Sequence, residues 1–127
     1  MKIASTISRY LLGIVFLVFG LNGFLQFLHM PPPTGIAAQF MGALFMSHML
    51  MVIFALEVIA AVLLLVNRYV PLASLILGPI LVNILLFHVF MAPSGLPLAL
   101  IVTAIWLVVA ASVRPAFRGI FLQRIQA

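Results

Sequence analysis

The sequence has no cysteine and only one acidic residue, Glu57, among its 127 residues. Without cysteine, the chain cannot carry out thiol–disulfide chemistry, ligate an iron–sulfur cluster or hold a metal through thiolate. Charged residues make up 6% of the chain, whereas soluble domains carry roughly 25%. A chain with so few charges cannot cover a globular surface in water.

Most of the remaining residues are apolar. They account for 67% of the sequence, and the mean hydropathy is +1.43. This composition predicts a protein that lies in lipid. Four spans of about 20 residues with short connections use nearly all of the chain, so a single integral membrane domain over residues 1–127 is expected.

The apolar runs predict an all-α membrane protein, a four-transmembrane-helix bundle. Three consecutive prolines end the first run, and the apolar run of residues 36–66 that follows is too long for one upright crossing. A short interfacial or re-entrant helix is therefore expected between spans 1 and 2, with a break near Gly42 or Ser47–His48. The predicted spans are residues 7–28, 48–66, 71–91 and 96–113, and the predicted interfacial segments are residues 36–46 and 115–126.

Small residues and one proline modify these helices. Glycines 13, 20 and 23 permit close approach of a neighbouring helix to the first span. Pro79, in the third span, removes a backbone donor and releases the carbonyl of Leu75, so a kink is expected there.

The basic residues all flank apolar runs and form no basic face, which argues against nucleic acid as a partner. With four spans, one membrane side holds both termini and the turn after span 2, and it carries Lys2, Arg9, Arg68, Arg114, Arg118 and Arg124. The other side carries no lysine or arginine. The positive-inside rule then predicts cytoplasmic N- and C-termini, with the basic residues near lipid head groups.

Glu57 lies inside an apolar segment, where a carboxylate costs about 3 kcal/mol even on insertion scales. One interpretation is a proton-coupled or cation-binding carboxylate. The other is a structural group, either hydrogen-bonded to Asn83 or to the carbonyl freed by Pro79, or ion-paired with Arg9. The sequence leaves both open.

Three histidines fall at the same predicted membrane face. His29 ends the first span, His48 opens the second and His88 lies near the end of the third. Three imidazoles at one level are a weak candidate zinc or copper site, and two of them could hold a haem. The simpler alternative is that the imidazole ring suits the interface. No carboxylate or H-x-x-x-H spacing accompanies them, so no metal is predicted.

Polar side chains inside the spans could line a pocket for a lipophilic molecule such as quinone. Asn22, Gln26 and His29 follow at i, i+4 and i+7, so they are expected to share one helical face. Aromatic residues could border the pocket, although they commonly face lipid: Phe16, Phe19, Phe24, Phe27, Phe54, Phe87, Phe90 and Trp106. The candidate ligand-binding residues are Glu57, Asn83, His88, Asn22, Gln26 and Trp106.

Several ordered segments of the chain resemble the DoxX family of small bacterial four-span membrane proteins. The similar segments are RYLLG from Arg9, FGLNGF from Phe19, QFMGAL from Gln39, Glu57 followed by LLLV at residues 63–66, RYVPLA from Arg68 and NILLFH from Asn83. The resemblance implies a four-helix bundle in the bacterial inner membrane. It also implies an accessory role in a membrane redox complex, with other subunits or a second copy as partners, and carries over Arg9, Glu57, Asn83 and His88 as candidate site residues.

Two further functions remain open. A small proton-coupled exporter would use Glu57, as small multidrug resistance transporters use one membrane carboxylate, although theirs lies in the first helix. A histidine-ligated haem or metal protein would use His48 and His88. The sequence contains no self-contained active site, so it does not decide whether the chain is an enzyme.

Overall fold

Long runs of helix-forming apolar residues, punctuated by proline and glycine, fold into helices throughout. The computed structural model describes residues 2–125, which are 82% helical and contain no strand. Five α-helices follow in order: α1 Lys2–Leu25, α2 Gly35–Met46, α3 Met49–Leu65, α4 Val70–Phe90 and α5 Leu96–Ser112. Two 3₁₀ helices lie at Pro93–Gly95 and Arg114–Phe121.

The end of α1 is closed by a side chain within its last turn. Asn22 Oδ1 accepts a hydrogen bond from the backbone N–H of Leu28 at 2.7 Å, and Gln26 adopts the left-handed conformation with φ 52°. The helix therefore ends at Leu25, three residues earlier than predicted. Because Gln26 and His29 lie beyond it, the predicted shared face of Asn22, Gln26 and His29 is wrong.

The break after the proline loop falls at Ser47–His48, one of the two predicted positions, and α2 continues through Gly42. His48 has φ 67°, and the axes of α2 and α3 are bent by 84° at this point. A left-handed residue cannot continue a right-handed helix, so the apolar run becomes two elements. The elbow leaves α3 with 17 residues, about 26 Å of helix.

The connection between α3 and α4 is four residues long and uses two more left-handed residues, Asn67 and Tyr69. Pro71 then occupies the first turn of α4. A backbone N–H in this turn has no partner within the helix, so the lack of an N–H in proline costs no hydrogen bond there. Pro79 lies inside α4, which continues past it to Phe90.

Four helices form a closed ring in which α1 packs on α3 and α5, and α4 packs on α3 and α5. The most extensive interface is that of α1 with α3, and α2 lies against α3. α1 and α3 are antiparallel, since Gly13 meets residues 61 and 65 whereas Gly20 meets residues 54, 57 and 58, and short turns reverse the chain between α3 and α4 and between α4 and α5. The core contains Leu12, Phe16, Ala60, Ala61, Leu64, Val70, Ala73, Leu77, Ile80, Leu81, Val102 and Val109.

The antiparallel ring gives the molecule two chemically different ends. The basic end, formed by the start of α1, the α3–α4 turn and the chain after α5, carries Lys2, Arg9, Arg68, Arg114, Arg118 and Arg124. The opposite end, the histidine end, is formed by the end of α1, α2, the start of α3 and the α4–α5 turn. It carries His29, His48 and His88.

Three helices are long and apolar enough to cross a membrane: α1, α4, and α5 taken with the preceding 3₁₀ turn. A fourth is added if the bent pair of α2 and α3 counts as one span. The bounds of α3, α4 and α5 lie within one residue of the predicted spans, whereas α1 begins five residues before the predicted start at residue 7. The segment predicted to be interfacial at residues 115–126 overlaps the 3₁₀ helix Arg114–Phe121, and its residue 126 lies outside the described residues.

Candidate functional site

Glu57 lies on the inner face of α3, in line with Ala60, Ala61 and Leu64. Its side chain is 5% exposed, and its Oε2 atom has no hydrogen-bond partner. A buried polar atom without a partner costs about 1–3 kcal/mol. This atom and the Oγ of Ser74 are the buried side-chain oxygens without a partner in the described part of the chain.

Gly20 closes the α1 side of this site. A Cβ atom at position 20 would lie 2.9 Å from Cγ2 of Val58 and 3.2 Å from both the Cβ of Glu57 and the carbonyl oxygen of Phe54. Gly13 is packed equally closely on Leu65, the last residue of α3. These contacts confirm that the glycines of α1 allow a close helix approach.

Arg9 does not pair with Glu57, so the predicted ion pair is not formed. Its guanidinium donates to the carbonyl oxygen of Leu64, near the C-terminus of α3, and its Cζ lies 4.4 Å from the ring centroid of Tyr10. A cation at a helix C-terminus meets the negative end of the helix dipole. Arg9 therefore joins α1 to α3 at the basic end, about two turns from Glu57.

Asn83 does not bind Glu57, although a hydrogen bond between the two was one of the alternatives that the sequence left open. The side chain of Asn83 is exposed on the outer face of α4, and its Nδ2 donates to the carbonyl oxygen of Pro79 at 3.0 Å. Its neighbours on that face are apolar and exposed: Leu75, Val82 and Leu86. The carboxamide is thus isolated on an apolar surface.

Trp106 ties α5 to α4 through a contact that the sequence did not reveal. Its Nε1–H donates to the carbonyl oxygen of Ser74 at 3.0 Å, and its ring lies over Gly78. The Oγ atom of Ser74 is fully buried and has no partner. The sequence feature that could have predicted this contact is a serine and a glycine one turn apart in one span, together with a tryptophan in the next span.

The histidines do not converge on a metal site. His29 and His48 are exposed, whereas the His88 ring lies against Gly95 and its Nδ1 is 2.8 Å from the carbonyl oxygen of Ile84. Across residues 2–125, no three His, Cys, Asp or Glu side chains group as metal ligands. A haem held by His48 and His88 stays a prediction.

The aromatic residues pair locally at the histidine end. Phe24 of α1 meets Phe54 of α3 edge to face with centroids 6.3 Å apart, and Phe40 of α2 meets Phe87 of α4 at 5.8 Å. The Phe87 and His88 rings are 5.2 Å apart. The Phe40–Phe87 pair fastens α2 to α4, and the Phe24–Phe54 pair joins α1 to α3.

Two open, shallow clefts lie at the basic end, away from every predicted ligand-binding residue. One is lined by Lys2, Ile3, Thr6 and Ile7 at the start of α1. The other lies on the C-terminal 3₁₀ helix and is lined by Arg114, Pro115, Phe117, Arg118 and Phe121.

No family model matches the sequence, and searches of curated proteins and of solved structures found no similar protein.

Proposed function

We propose that this chain is an inner-membrane protein that crosses the bilayer four times and serves as an accessory subunit of a membrane complex. The outward faces of its long helices support membrane insertion. They carry large apolar side chains that are about half exposed, such as Ile14, Leu72, Leu75, Leu100, Ile101 and Leu107. Lipid tails or the helices of a partner would cover these side chains at no hydrophobic cost.

The charge distribution supports cytoplasmic termini. Lysine and arginine are confined to the basic end, and the histidine end carries none among the described residues. In this orientation α3, at 17 residues, is just long enough to cross, and α2 lies near the opposite membrane surface.

Asn83 is the observation that carries the accessory role. A carboxamide surrounded by exposed apolar side chains would face hydrocarbon if the bundle stood alone in lipid. Pro79 adds a second polar group to the same face, because it provides no N–H for the carbonyl of Leu75. Polar groups on membrane helices commonly hydrogen-bond across to another helix. The outer face of α4, defined by Leu75, Pro79, Val82, Asn83 and Leu86, is therefore the proposed partner-binding face.

The nature of the partner is proposed from the resemblance described above, which implies a subunit of a membrane redox complex or a second copy of the chain. The test is purification from native membranes, followed by measurement of mass and subunit composition. A stoichiometric complex with a redox subunit or a dimer is expected for the wild type. Asn83→Leu should dissociate it, and Val82→Leu, an apolar exchange on the same face, should not. A wild type that is monomeric in mild detergent would contradict the proposal.

Quinone binding inside the bundle remains a prediction with less support. The candidate residues are dispersed: Glu57 faces α1, Asn83 faces outward, and Trp106 and His88 bond to backbone carbonyls. Quantifying quinone in the gently purified complex tests it directly.

Proton-coupled export is the second candidate, favoured by the buried and unpartnered Oε2 of Glu57. A membrane carboxylate of this kind is a typical proton-binding group in transporters. In proteoliposomes with an imposed proton gradient, cation transport should occur and should be abolished by Glu57→Gln. Transport that survives this substitution, or no transport by the wild type, would exclude the exporter.

A further inference from the structure

The cleft on the C-terminal 3₁₀ helix combines two arginines with two phenylalanines. A 3₁₀ helix has three residues per turn, so residues three apart are eclipsed along its side. Arg114 and Phe117 therefore form one row, and Arg118 and Phe121 form the row beside it. Within each row, the phenylalanine lies about 6 Å along the axis from the arginine. The cleft lining contains these two rows together with Pro115.

No acidic side chain of this chain can neutralise the two guanidinium groups. Glu57 is the only acid in the sequence, and it is buried in α3 beside Gly20. Both arginines are exposed. No side chain of the sequence therefore supplies a counter-ion here, and an oxyanion with several acceptor oxygens matches the donors of two arginines.

The apolar residues of the cleft argue for an anion that carries hydrocarbon. Phe121 is 84% exposed and the neighbouring Ile120 is 56% exposed, which is costly for side chains that face only water. The 3₁₀ helix contacts α4, so the cleft is held against the basic end of the bundle. In the orientation proposed above, this is the level of the cytoplasmic head groups.

We propose that this cleft binds an anionic phospholipid. Arg114 and Arg118 bind the phosphate oxygens, and Phe117 and Phe121 pack on the glycerol and the upper acyl chains. This inference rests on the proposed membrane insertion. It goes beyond that proposal by assigning a defined lipid site to one segment of the basic end.

The test compares two double variants that remove the same charge from the same end. Arg114→Gln/Arg118→Gln changes the cleft, and Arg68→Gln/Arg124→Gln removes two arginines that do not line it. The full-length proteins are reconstituted in mixed phosphatidylcholine–phosphatidylglycerol vesicles and extracted in mild detergent. Retained phosphatidylglycerol is then measured by native mass spectrometry.

Phosphatidylglycerol retention should fall by about tenfold or more in the cleft variant and by less than about twofold in the control. Phe121→Ala should also reduce retention, and its exposed position leaves the fold intact. Equal losses in the two double variants would show a general attraction to the basic end and overturn the site, as would no loss in either.

Two further measurements separate the possible failures. Flotation with vesicles of phosphatidylcholine alone tests membrane insertion, and a wild type that does not float contradicts the proposed function itself. Millimolar glycerol phosphate, which has the phosphate but no acyl chain, should not displace the bound lipid. Displacement by it would assign the cleft to a soluble phosphate compound and overturn the lipid proposal.

Discussion

At Gly20, the absence of a side chain decides how closely α1 approaches α3. A Cβ atom there meets Val58 and Glu57 and also the backbone of Phe54, which has little freedom to move. We expect Gly20→Val to reduce the free energy of unfolding by about 1–3 kcal/mol, because overpacking forces the two helices apart. Thermal unfolding in a fixed detergent measures this loss.

Gly42 provides the matched control for that substitution. A Cβ atom at Gly42 has no neighbour within 4 Å, and the residue is exposed on α2. Gly42→Val should therefore change stability by less than about 0.5 kcal/mol. Similar losses at both positions would indicate a general effect of valine in these helices and not a close α1–α3 contact.

Replacement of Glu57 is expected to raise the stability, whereas replacement of Gly20 is expected to lower it. Since its buried Oε2 has no partner, replacement by an apolar residue of similar size removes a desolvated polar atom. Glu57→Leu should raise stability by about 1–3 kcal/mol, and Glu57→Gln should give no such gain. Chemical denaturation of the three proteins in mixed micelles tests this. A less stable leucine variant would mean that the carboxyl group ties helices together.

At the scale of elements, the elbow between α2 and α3 depends on His48. A left-handed backbone conformation costs a non-glycine residue roughly 1–2 kcal/mol of conformational energy. His48, with φ 67°, adopts this conformation and bears that cost. His48→Gly should therefore stabilise the protein by about 1 kcal/mol, whereas His48→Val should destabilise it. Unfolding midpoints measured side by side check both signs.

His29→Gly is the control for the elbow. His29 is an exposed residue outside the helices and has no positive φ, so glycine relieves no strain there and only adds freedom to the unfolded chain. This variant should be neutral or slightly less stable. If His29→Gly stabilises the protein as much as His48→Gly does, relief of backbone strain at position 48 is not the cause of the stabilisation.

Helix boundaries were readable from the sequence because they are set by local chemistry. Prolines, glycines and the length of each apolar run fixed the ends within a few residues, and Ser47–His48 was one of two expected break points. The end of α1 was missed by three residues because Asn22 caps the chain after Leu25, which a hydropathy pattern does not report.

Contacts between helices were less predictable because they depend on helix rotation. Arg9 and Asn83 were alternative candidate partners of Glu57, yet Glu57 faces α1, Arg9 binds the end of α3 and Asn83 lies on the outer surface. In helices that are apolar on every side, no amphipathic stripe marks the inner face. Small residues were the more reliable guide, as the glycines of α1 show.

At the scale of the whole molecule, the natural absence of cysteine gives a clean topology test. Single cysteines introduced at Thr34 and Ser94, at the histidine end, should react with a membrane-impermeant maleimide added to intact cells. Cysteines at Asn67 and Gln123 should react only after lysis, because the proposed orientation places them in the cytoplasm. If the cysteines at positions 67 and 94 react from the same side of the membrane, the proposal of four crossings is contradicted.

The dominance of the α1–α3 interface has a consequence for biosynthesis. All residues of that interface have been synthesised once the ribosome passes residue 65, before α4 and α5 exist. The tightest pairing is thus available to the nascent chain first, and α5, which touches both α1 and α4, closes the ring last. Assembly of the bundle can follow the order of translation, with each new helix docking on a partner already in place.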